Sequence, residues 1–348
     1  MALNDLITLR IKKIIPETKD TKSFVLESIS GNGIKYTAGQ FLTFVFTKEN
    51  GTEERRNYSA SSSPDDNEPL MITVKRIPNG EFSRKLIDTM KEGDELKTIG
   101  ASGFFTLPDD MKLYDQFVFL AAGSGITPVF SLIKTLLNHY PDKKIVLIYS
   151  NPSESNTIFY DSLKTLQKKS GNRFQIEFLF SNSRDLLHRR LSGYLLEQMI
   201  NKYGDVPVSR QLIYLCGPFE YMRMATIVFK NNGFNASQIR KEIFTINKPE
   251  RKAEPSDKEM HSVQIQLQGN EYHFQTQYPE TILQTAKVLK IPIPYSCESG
   301  QCGTCAATCV SGKVWMWRND VLMDDEIEKG RVLTCTGYVV GGNVKLLF

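Results

Sequence analysis

The chain has 348 residues, of which 41% are hydrophobic and 24% charged, and its formal net charge is +4. This length exceeds what one hydrophobic core usually serves, so a multidomain protein of two or three domains is expected. The small net charge gives no reason to expect a nucleic-acid partner. No apolar run approaches the roughly 20 residues that cross a bilayer, and the start of the chain lacks the apolar segment of a secretion signal. These features predict a cytoplasmic protein without stable membrane insertion.

Residues 1–110 predict a small antiparallel β-barrel. Six segments rich in β-branched and aromatic residues are separated by turn-forming stretches such as SGNG and KENG, and one further segment, EFSRKLIDTM, has a helical pattern. Six strands at regular spacing are typical of a barrel. The predicted strands are ITLRIKKI, SFVLES, FLTFVFT, RRNYSAS, MITVKRI and ELKTIGA.

Between residues 111 and 246 the pattern changes to alternating strands and helices. Continuous apolar strands such as QFVFLAA and QLIYLC are separated by amphipathic segments such as VFSLIKTLLNHY. This alternation predicts an α/β domain with a parallel sheet covered by helices on both faces. The last predicted strand of this domain is EIFTI, from Glu242 to Ile246.

Residues 247–261, NKPERKAEPSDKEMH, predict an exposed linker. The segment has two prolines and eight charged residues and no aliphatic β-branched residue. Residues 262–348 then form a third domain, which begins with a predicted hairpin, SVQIQLQGNEYHFQT, and a helix, TILQTAKVLK. A flexible linker would let this last domain move between two docking positions at high effective concentration.

Four cysteines in the last domain have a spacing that indicates an iron–sulfur cluster. Cys297, Cys302, Cys305 and Cys335 follow the pattern C-x4-C-x2-C with a distant fourth cysteine, as in plant-type [2Fe–2S] ferredoxins. In a reducing compartment, clustered thiols favour metal binding over disulfides. Two glycines and several hydroxyl residues in the same loop suit a tight turn around the cluster.

The alternative for these cysteines is a structural zinc site. Zinc is usually held by two closely spaced cysteine pairs, and three cysteines in one loop with a single distant fourth fit that pattern less well. The neighbouring Cys309 is not needed as a ligand and is expected to be a small buried hydrophobic residue.

The segment RRNYS, together with the cluster pattern and the α/β domain, resembles the ferredoxin-NADP reductase superfamily, and most closely its oxygenase reductases with a C-terminal plant-type ferredoxin domain. The resemblance covers nearly the whole chain, with the motifs in the expected order. It implies an antiparallel β-barrel FAD domain, an α/β parallel-sheet nicotinamide domain and an α+β β-grasp ferredoxin domain.

The resemblance implies a flavin site in the first domain. Arg56 would pair with the flavin pyrophosphate, Tyr58 would lie against the isoalloxazine ring, and Ser59 would hydrogen-bond its reactive nitrogen. A guanidinium suits a phosphate and an aromatic face suits a planar ring, so the residue types fit these roles. A second flavin segment, VKRIPNGEFSRKL, favours FAD over FMN and contributes Val74, Lys75, Gly80, Phe82 and Ser83.

The segment AAGSGITP lies between a predicted strand and a predicted helix, where a phosphate-binding loop is expected. Gly123 and Gly125 permit a tight turn, and Thr127 and Pro128 begin the helix, where proline loses no needed donor. This G-x-G-x-x-P form resembles the nicotinamide loop of the superfamily.

The resemblance also implies further residues near the nicotinamide and the flavin. Cys216, with Gly217 and Pro218, would lie where hydride passes, although a buried thiol at a strand end is an equally simple reading of the cysteine. Glu242 resembles the acidic residue near the flavin, and Phe244 the aromatic residue that ends the reductase part. Ser59, Cys216 and Glu242 are therefore the candidate catalytic residues.

The choice between NADPH and NADH stays open. Ser183 and Arg184 follow the third strand of the α/β domain, where a cation and a hydroxyl suit a 2′-phosphate, whereas the nearby segment NPSES contributes Glu154.

Together these motifs predict an electron-transfer oxidoreductase with the path NAD(P)H to FAD to [2Fe–2S] and then to an acceptor protein. The expected acceptor is an oxygenase component; a desaturase and a small carrier such as ferredoxin or flavodoxin are alternatives. Two other readings are a non-enzymatic iron–sulfur redox sensor and a zinc-bearing binding module on a degenerate reductase.

Overall fold

The computed structural model describes residues 6–48, 50–245 and 253–348, and these form two compact units. The larger unit comprises Ile7–Ala101 and Phe105–Phe244, and the smaller unit is built mainly from the chain after Thr245. The predicted β-barrel and α/β domains therefore both belong to the larger unit.

Six antiparallel strands form the first half of the larger unit, in the sheet order β4-β3-β6-β1-β2-β5. An isolated antiparallel bridge from Ala60 to Ile72 joins the two edge strands and closes the predicted barrel. The short helix α1 (Glu81–Arg84) continues as a π-helical turn, Lys85–Thr89. The strands are β1 (Ile7–Thr18), β2 (Thr21–Ser28), β3 (Phe41–Thr47), β4 (Glu53–Ser59), β5 (Met71–Lys75) and β6 (Glu95–Ser102).

A five-stranded parallel sheet forms the second half of the larger unit, in the order β11-β10-β7-β8-β9. Its strands are almost wholly apolar because both faces are covered, and a separate hydrophobic core lies on each face. The strands are β7 (Gln116–Ala122), β8 (Lys144–Asn151), β9 (Phe174–Phe180), β10 (Gln211–Cys216) and β11 (Ile239–Glu242), and the helices are α2 (Ile126–His139), α3 (Tyr160–Ser170), α4 (Gly193–Lys202) and α5 (Phe219–Asn231).

The last strand of this sheet differs from the prediction. The sequence pattern placed it at residues 242–246, whereas the described strand covers Ile239–Glu242 and pairs with Ile213–Cys216 of β10. Only Glu242 is shared, and Ile246 lies outside the described residues. The apolar Ile243 and Phe244 suggested a strand, but the pairing partners of the sheet lie earlier, beside the polar residues Arg240 and Lys241.

The smaller unit contains a mixed five-stranded sheet in the order β13-β12-β18-β14-β16, together with a two-stranded pair, β15 and β17. Strand β18 runs parallel to β12 and antiparallel to β14. Thr281 caps helix α6 by accepting a hydrogen bond from the Gln284 backbone N–H. The strands are β12 (His261–Leu267), β13 (Asn270–Thr276), β14 (Ala306–Ser311), β15 (Val314–Met316), β16 (Arg331–Leu333), β17 (Gly337–Val339) and β18 (Val344–Leu347), and the helices are α6 (Ile282–Val288) and α7 (Asp324–Glu328).

The predicted linker is described only from residue 253 onward, and residues 247–252 lie outside the described part of the chain. Asp257 accepts hydrogen bonds from the Gly341 backbone N–H (2.6 Å) and from the Glu259 N–H (2.9 Å), and it pairs with His261 Nε2 at 2.8 Å. Pro255 is buried. The residues just before β12 are therefore attached to the smaller unit.

Among the described residues, no helix combines the length and the apolar character that a membrane span requires.

Candidate redox sites

A cavity of about 350 Å³ in the larger unit brings together most of the predicted flavin residues. It is lined by the end of β4, by β5 and by the turn that leads into α1, and Ser124 and Thr127 of the predicted phosphate loop line it as well. Its size lies within the usual range for ligand sites. The predicted residues that line it are Arg56, Tyr58, Ser59, Val74, Lys75, Gly80, Phe82, Ser83, Thr127 and Phe244.

The positive charge in this cavity is centred on Arg56. Its guanidinium lies 5.3 Å from the centroid of the Phe82 ring and pairs with Glu54, which also binds Lys48. Burial lowers the pKa of Arg56. Because Arg56 is anchored on an aromatic face and the cavity also contains Lys48 and Lys75, the site suits the pyrophosphate of a dinucleotide.

Sequence reasoning missed several residues of this cavity. Lys48, Glu54, Thr73, Asn79 and Glu81 also line it. Glu54 could have been found, since it occupies the same face of β4 as Arg56 and Tyr58 at the two-residue period of a strand. The others follow only from how the strands close around the cavity.

Ser83 stabilises the turn that precedes α1. Its hydroxyl accepts a hydrogen bond from the Ile77 backbone N–H (3.2 Å) and donates to the Gly80 carbonyl oxygen (3.1 Å). The hydroxyl therefore orders the backbone that lines the cavity.

The predicted nicotinamide loop is packed against the end of β10. A Cβ atom on Gly125 would lie 2.1 Å from the Cys216 carbonyl oxygen, so only glycine fits at this position. Thr127 Oγ1 donates to the Ser124 carbonyl oxygen at 3.0 Å, and α2 begins directly after the loop. The loop thus connects β7 to α2 while touching the strand that carries Cys216.

Ser59, Cys216 and Glu242 converge where the barrel meets the parallel sheet. Cys216 and Glu242 are register partners in adjacent parallel strands, and Ser59 Oγ donates to Glu242 Oε1 at 2.7 Å. Glu242 is 9% exposed, and its Oε2 has no hydrogen-bond partner among the described residues. Ser59 lines the cavity, and Glu242 lies behind it.

Burial controls the protonation of this cluster. It raises the pKa of Glu242 from 4.5 to about 8, with the Ser59 hydrogen bond acting in the opposite direction. Cys216 is completely buried, and burial, followed by the charge of Glu242, raises its pKa well above the ordinary value. At neutral pH, Glu242 therefore holds a proton and Cys216 is a neutral thiol, which makes the cluster a source of hydrogen-bond donors rather than a nucleophilic site.

Several predicted residues lie outside the cavity lining. Gly123 and Gly125 are in the adjoining loop, Pro128 is in the first turn of α2, and Cys216, Gly217 and Pro218 are at the end of β10. Ser183 and the exposed Arg184 are in the loop between β9 and α4, where the structure does not join them to the flavin residues.

The four predicted cluster ligands are buried together in the smaller unit. Cys302 and Cys335 hydrogen-bond the sulfur of Cys297 and lower its pKa, and Cys335 does the same for Cys305. Their exposures are 5%, 8%, 2% and 6% for Cys297, Cys302, Cys305 and Cys335, respectively.

The loop conformation depends on Gly300, which has φ = 75° and leaves no room for a side chain, since a Cβ atom would lie 2.7 Å from the Arg318 carbonyl oxygen. Thr304 Oγ1 lies 3.4 Å from Cys302 Sγ. Buried, mutually contacting thiols with hydroxyl neighbours are a donor set that fits a [2Fe–2S] cluster.

No three His, Cys, Asp or Glu side chains surround a single metal position in the part of the chain that the structure describes. A two-iron cluster needs only two thiolates at each iron. Cys309 stays apart from the four ligands and is half-buried, with its sulfur 3.4 Å from the Ser311 carbonyl oxygen. It is thus less buried than the sequence predicts.

Comparison with known proteins agrees with this geometry. Residues 8–107 match the family model of the oxidoreductase FAD-binding domain, residues 119–226 that of the oxidoreductase NAD-binding domain, and residues 265–340 that of the 2Fe-2S iron-sulfur cluster binding domain. The protein is therefore an oxidoreductase with FAD, nicotinamide and [2Fe–2S] sites. The chain belongs to the ferredoxin-NADP reductase superfamily, in the group with a C-terminal ferredoxin domain.

Similar proteins have the same organisation over their full length. The ferredoxin reductase component of 3-ketosteroid-9-alpha-monooxygenase from Rhodococcus rhodochrous is 28% identical over 352 residues, covering 98% of this chain and 97% of the relative. A polypeptide of the 1,2-phenylacetyl-CoA epoxidase from Escherichia coli strain K12 is 29% identical over 359 residues, with coverages of 98% and 97%. The solved structure of phthalate dioxygenase reductase shares the fold, with a TM-score of 0.61, 24% identity and full coverage of both chains.

The charge of Arg56 should contribute strongly to FAD binding. We expect Arg56→Ala to raise the FAD dissociation constant roughly tenfold to hundredfold, because a hydrogen bond to a charged group contributes about 1.5–3 kcal/mol. Flavin fluorescence titration measures the change. The control is Arg10→Ala, which removes an exposed ion pair between Arg10 of β1 and Glu95 of β6. Equal FAD affinity in the Arg56 variant and the wild type would show that this guanidinium does not bind the cofactor.

Glu242 should make stability depend on pH. The unfolded chain loses this proton near pH 4.5 and the folded chain near pH 8, so the free energy of unfolding falls as the pH rises through that window. Glu242→Gln replaces the carboxyl group by a neutral isostere and so removes this pH dependence. The loss of unfolding free energy in the wild type is at most about 5 kcal/mol, because a difference of one pKa unit corresponds to about 1.4 kcal/mol. The temperature at which FAD is released can be followed by flavin fluorescence. We expect the release temperature of the variant to rise relative to that of the wild type as the pH increases to 8, and the difference to stay constant above pH 8. A constant difference between pH 5 and 9 would contradict the raised pKa.

The four buried cysteines should be required for the cluster, and Cys309 should not. We expect Cys302→Ser to lose most of the bound iron and the visible cluster bands, because each iron needs two thiolates. Cys309→Ser is the matched control and should keep both. Iron analysis and visible spectra distinguish the outcomes, and loss of iron in the Cys309 variant would count against the assigned ligand set.

Proposed function

We propose that the protein oxidises NAD(P)H and passes the electrons through FAD and the [2Fe–2S] cluster to an oxygenase component. The observation that carries this proposal is the shared cavity: residues of the flavin strands and of the nicotinamide loop, Ser124 and Thr127, line the same space. Hydride transfer needs the two rings within van der Waals contact, and a common cavity supplies that proximity.

Bound FAD would accept hydride and release single electrons, which links a two-electron donor to a one-electron cluster. Arg56 and Lys48 neutralise its pyrophosphate, and Tyr58 offers an aromatic surface. Ser59 is held in place by Glu242, whose buried carboxyl is protonated at neutral pH. Cys216 closes the end of β10 beside the loop as an uncharged thiol.

Cys297, Cys302, Cys305 and Cys335 would hold the two irons. We assign the FAD-binding part to residues 1–110, the nicotinamide part to 111–246, a linker to 247–261 and the ferredoxin part to 262–348. The proposed acceptor rests on the relatives, of which one is named as the ferredoxin reductase component of a monooxygenase and another as part of an epoxidase. We place this activity in the cytoplasm, where thiols stay reduced.

Ser183 and Arg184 are the residues that would distinguish NADPH from NADH. Arg184 is exposed in the loop after β9, which leaves its guanidinium accessible to a 2′-phosphate, and Ser183 is its neighbour.

Anaerobic titration of the purified protein with NADPH and, separately, with NADH tests the donor and the internal route. We expect loss of the flavin absorbance followed by loss of the cluster absorbance, with the better nucleotide acting at lower concentration. A protein whose flavin and cluster bands persist with both nucleotides is not a nicotinamide-dependent reductase. Bleaching of the flavin alone would exclude the internal route to the cluster.

A further inference from the structure

A loop between the flavin strand and β5 has a composition that does not match its burial. Residues 60–68, here called the serine loop, read ASSSPDDNE, yet Ser61, Ser62 and Ser63 are completely buried. Buried hydroxyls require partners, so the loop must be held from more than one side.

One side of the serine loop is bonded to the barrel. Ser61 Oγ lies 2.8 Å from Thr73 Oγ1 on β5, and Ser62 Oγ accepts from the Met71 backbone N–H at 2.9 Å. Ser62 Oγ also lies 2.6 Å from the Tyr36 hydroxyl. The loop begins one residue after Ser59, so these bonds fix it to the strand that lines the flavin cavity.

The other side of the serine loop is bonded to α2. Ser131 Oγ donates to the Ser62 carbonyl oxygen at 2.6 Å, and Ser63 Oγ lies 2.9 Å from Thr135 Oγ1. At the end of the helix, His139 Nε2 pairs with Asp66 at 2.9 Å. One face of α2 is therefore attached to the loop over more than two turns.

An ion pair between a buried lysine and a half-buried glutamate lies at the centre of this contact. Lys134 of α2 is 8% exposed and pairs with Glu68, which also accepts a hydrogen bond from the Ser63 backbone N–H at 2.9 Å. The ammonium group lies 4.7 Å from the centroid of the Phe130 ring. Removing Glu68 would leave the buried ammonium group of Lys134 without its partner, so the pair favours one position of the helix.

The position of α2 matters because the helix begins at the nicotinamide loop. Ile126 follows Gly125 directly, and Lys134 is eight residues further, about 12 Å along a rigid helix. A rotation or shift of α2 would move the loop relative to Ser59. A misplacement of about 1 Å between reacting groups can cost about a hundredfold in rate.

We propose that Glu68 and Lys134 are positioning residues for hydride transfer: through the serine loop and α2 they fix the nicotinamide loop relative to the flavin strand. Neither residue lines the cavity, so the pair acts through the elements it joins. This inference rests on the proposed route of hydride from NAD(P)H to FAD.

Stopped-flow reduction of the flavin at saturating NAD(P)H tests the proposal on the full-length protein with its cofactors bound. We expect Glu68→Gln and Lys134→Met each to lower the limiting rate about tenfold, with the FAD dissociation constant within twofold of wild type. The double variant should lose little more than either single variant, because both remove one interaction. Lys134→Arg keeps the charge and should recover most of the rate.

Lys12→Met is the matched control, since Lys12 pairs with Glu27 at 3.1 Å on the exposed side of the barrel, and its rate should equal that of the wild type. If Lys134→Met does not retain FAD, Ser131→Ala, which removes only the bond to Ser62, decides the same question and should lower the limiting rate in the same way.

Three results would overturn the inference. They are limiting rates within twofold of wild type, a change confined to the KM for NAD(P)H, and a loss of rate that merely follows a loss of FAD affinity. The wild-type reaction tests the route separately: a wild-type flavin that NAD(P)H does not reduce overturns both proposals, whereas normal rates in the wild type and in all variants overturn only the positioning role.

Discussion

The close approach of Gly125 to the backbone of Cys216 is the contact on which the arrangement of the flavin and nicotinamide sites depends. It brings the loop after β7 against the end of β10, and β10 in turn sets the register that pairs Cys216 with Glu242. Glu242 then reaches across to Ser59 at the end of the flavin strand. A side chain at position 125 would force the loop away from the strand. Backbone packing therefore locates the candidate catalytic residues of both halves of the larger unit.

Polar side chains are buried where these two halves meet, and this is unusual because buried polar groups oppose folding unless they are paired. Here they are paired: the three serines, Thr73, Thr135 and the Glu68–Lys134 pair satisfy one another. Apolar contacts tolerate sliding, whereas directional hydrogen bonds and a partly buried ion pair favour one relative position. The polar contacts between the barrel and α2 thus favour a single position of the helix relative to the barrel. The proposed hydride transfer depends on the distance between the two rings, so it would benefit from such a fixed position.

The sequence was most informative where burial follows composition. Segments such as FLTFVFT and QLIYLC become strands over the predicted residues, because a continuous apolar stretch has few alternatives to a covered sheet. The cysteine spacing located the four buried thiols for a similar reason, since iron–sulfur coordination requires cysteine and a short loop between the first three cysteines. The errors have the opposite character. The last parallel strand includes the polar residues Arg240 and Lys241 in place of the apolar Ile243 and Phe244, and the buried hydroxyls of Ser61 and Ser63 have their partners on β5 and α2. Each depends on a partner distant in the sequence or on the folded arrangement of the strands.

The cysteines show why residue type alone could not assign function. Cys216 is enclosed beside a carboxyl group, so its pKa rises and its thiol stays neutral. Cys297, Cys302, Cys305 and Cys335 are buried beside one another, and four neighbouring thiols are a donor set that suits a two-iron cluster. Cys309 is only half-buried and contacts backbone carbonyls. The same side chain is therefore an enclosed neutral thiol, a member of a cluster of four buried thiols or a half-buried residue, according to the groups around it. For the cluster loop these surroundings are encoded locally, by Gly300 and the cysteine spacing. For Cys216 they are encoded by two strands and a loop far apart in the sequence, so its neutral state follows only from the folded structure.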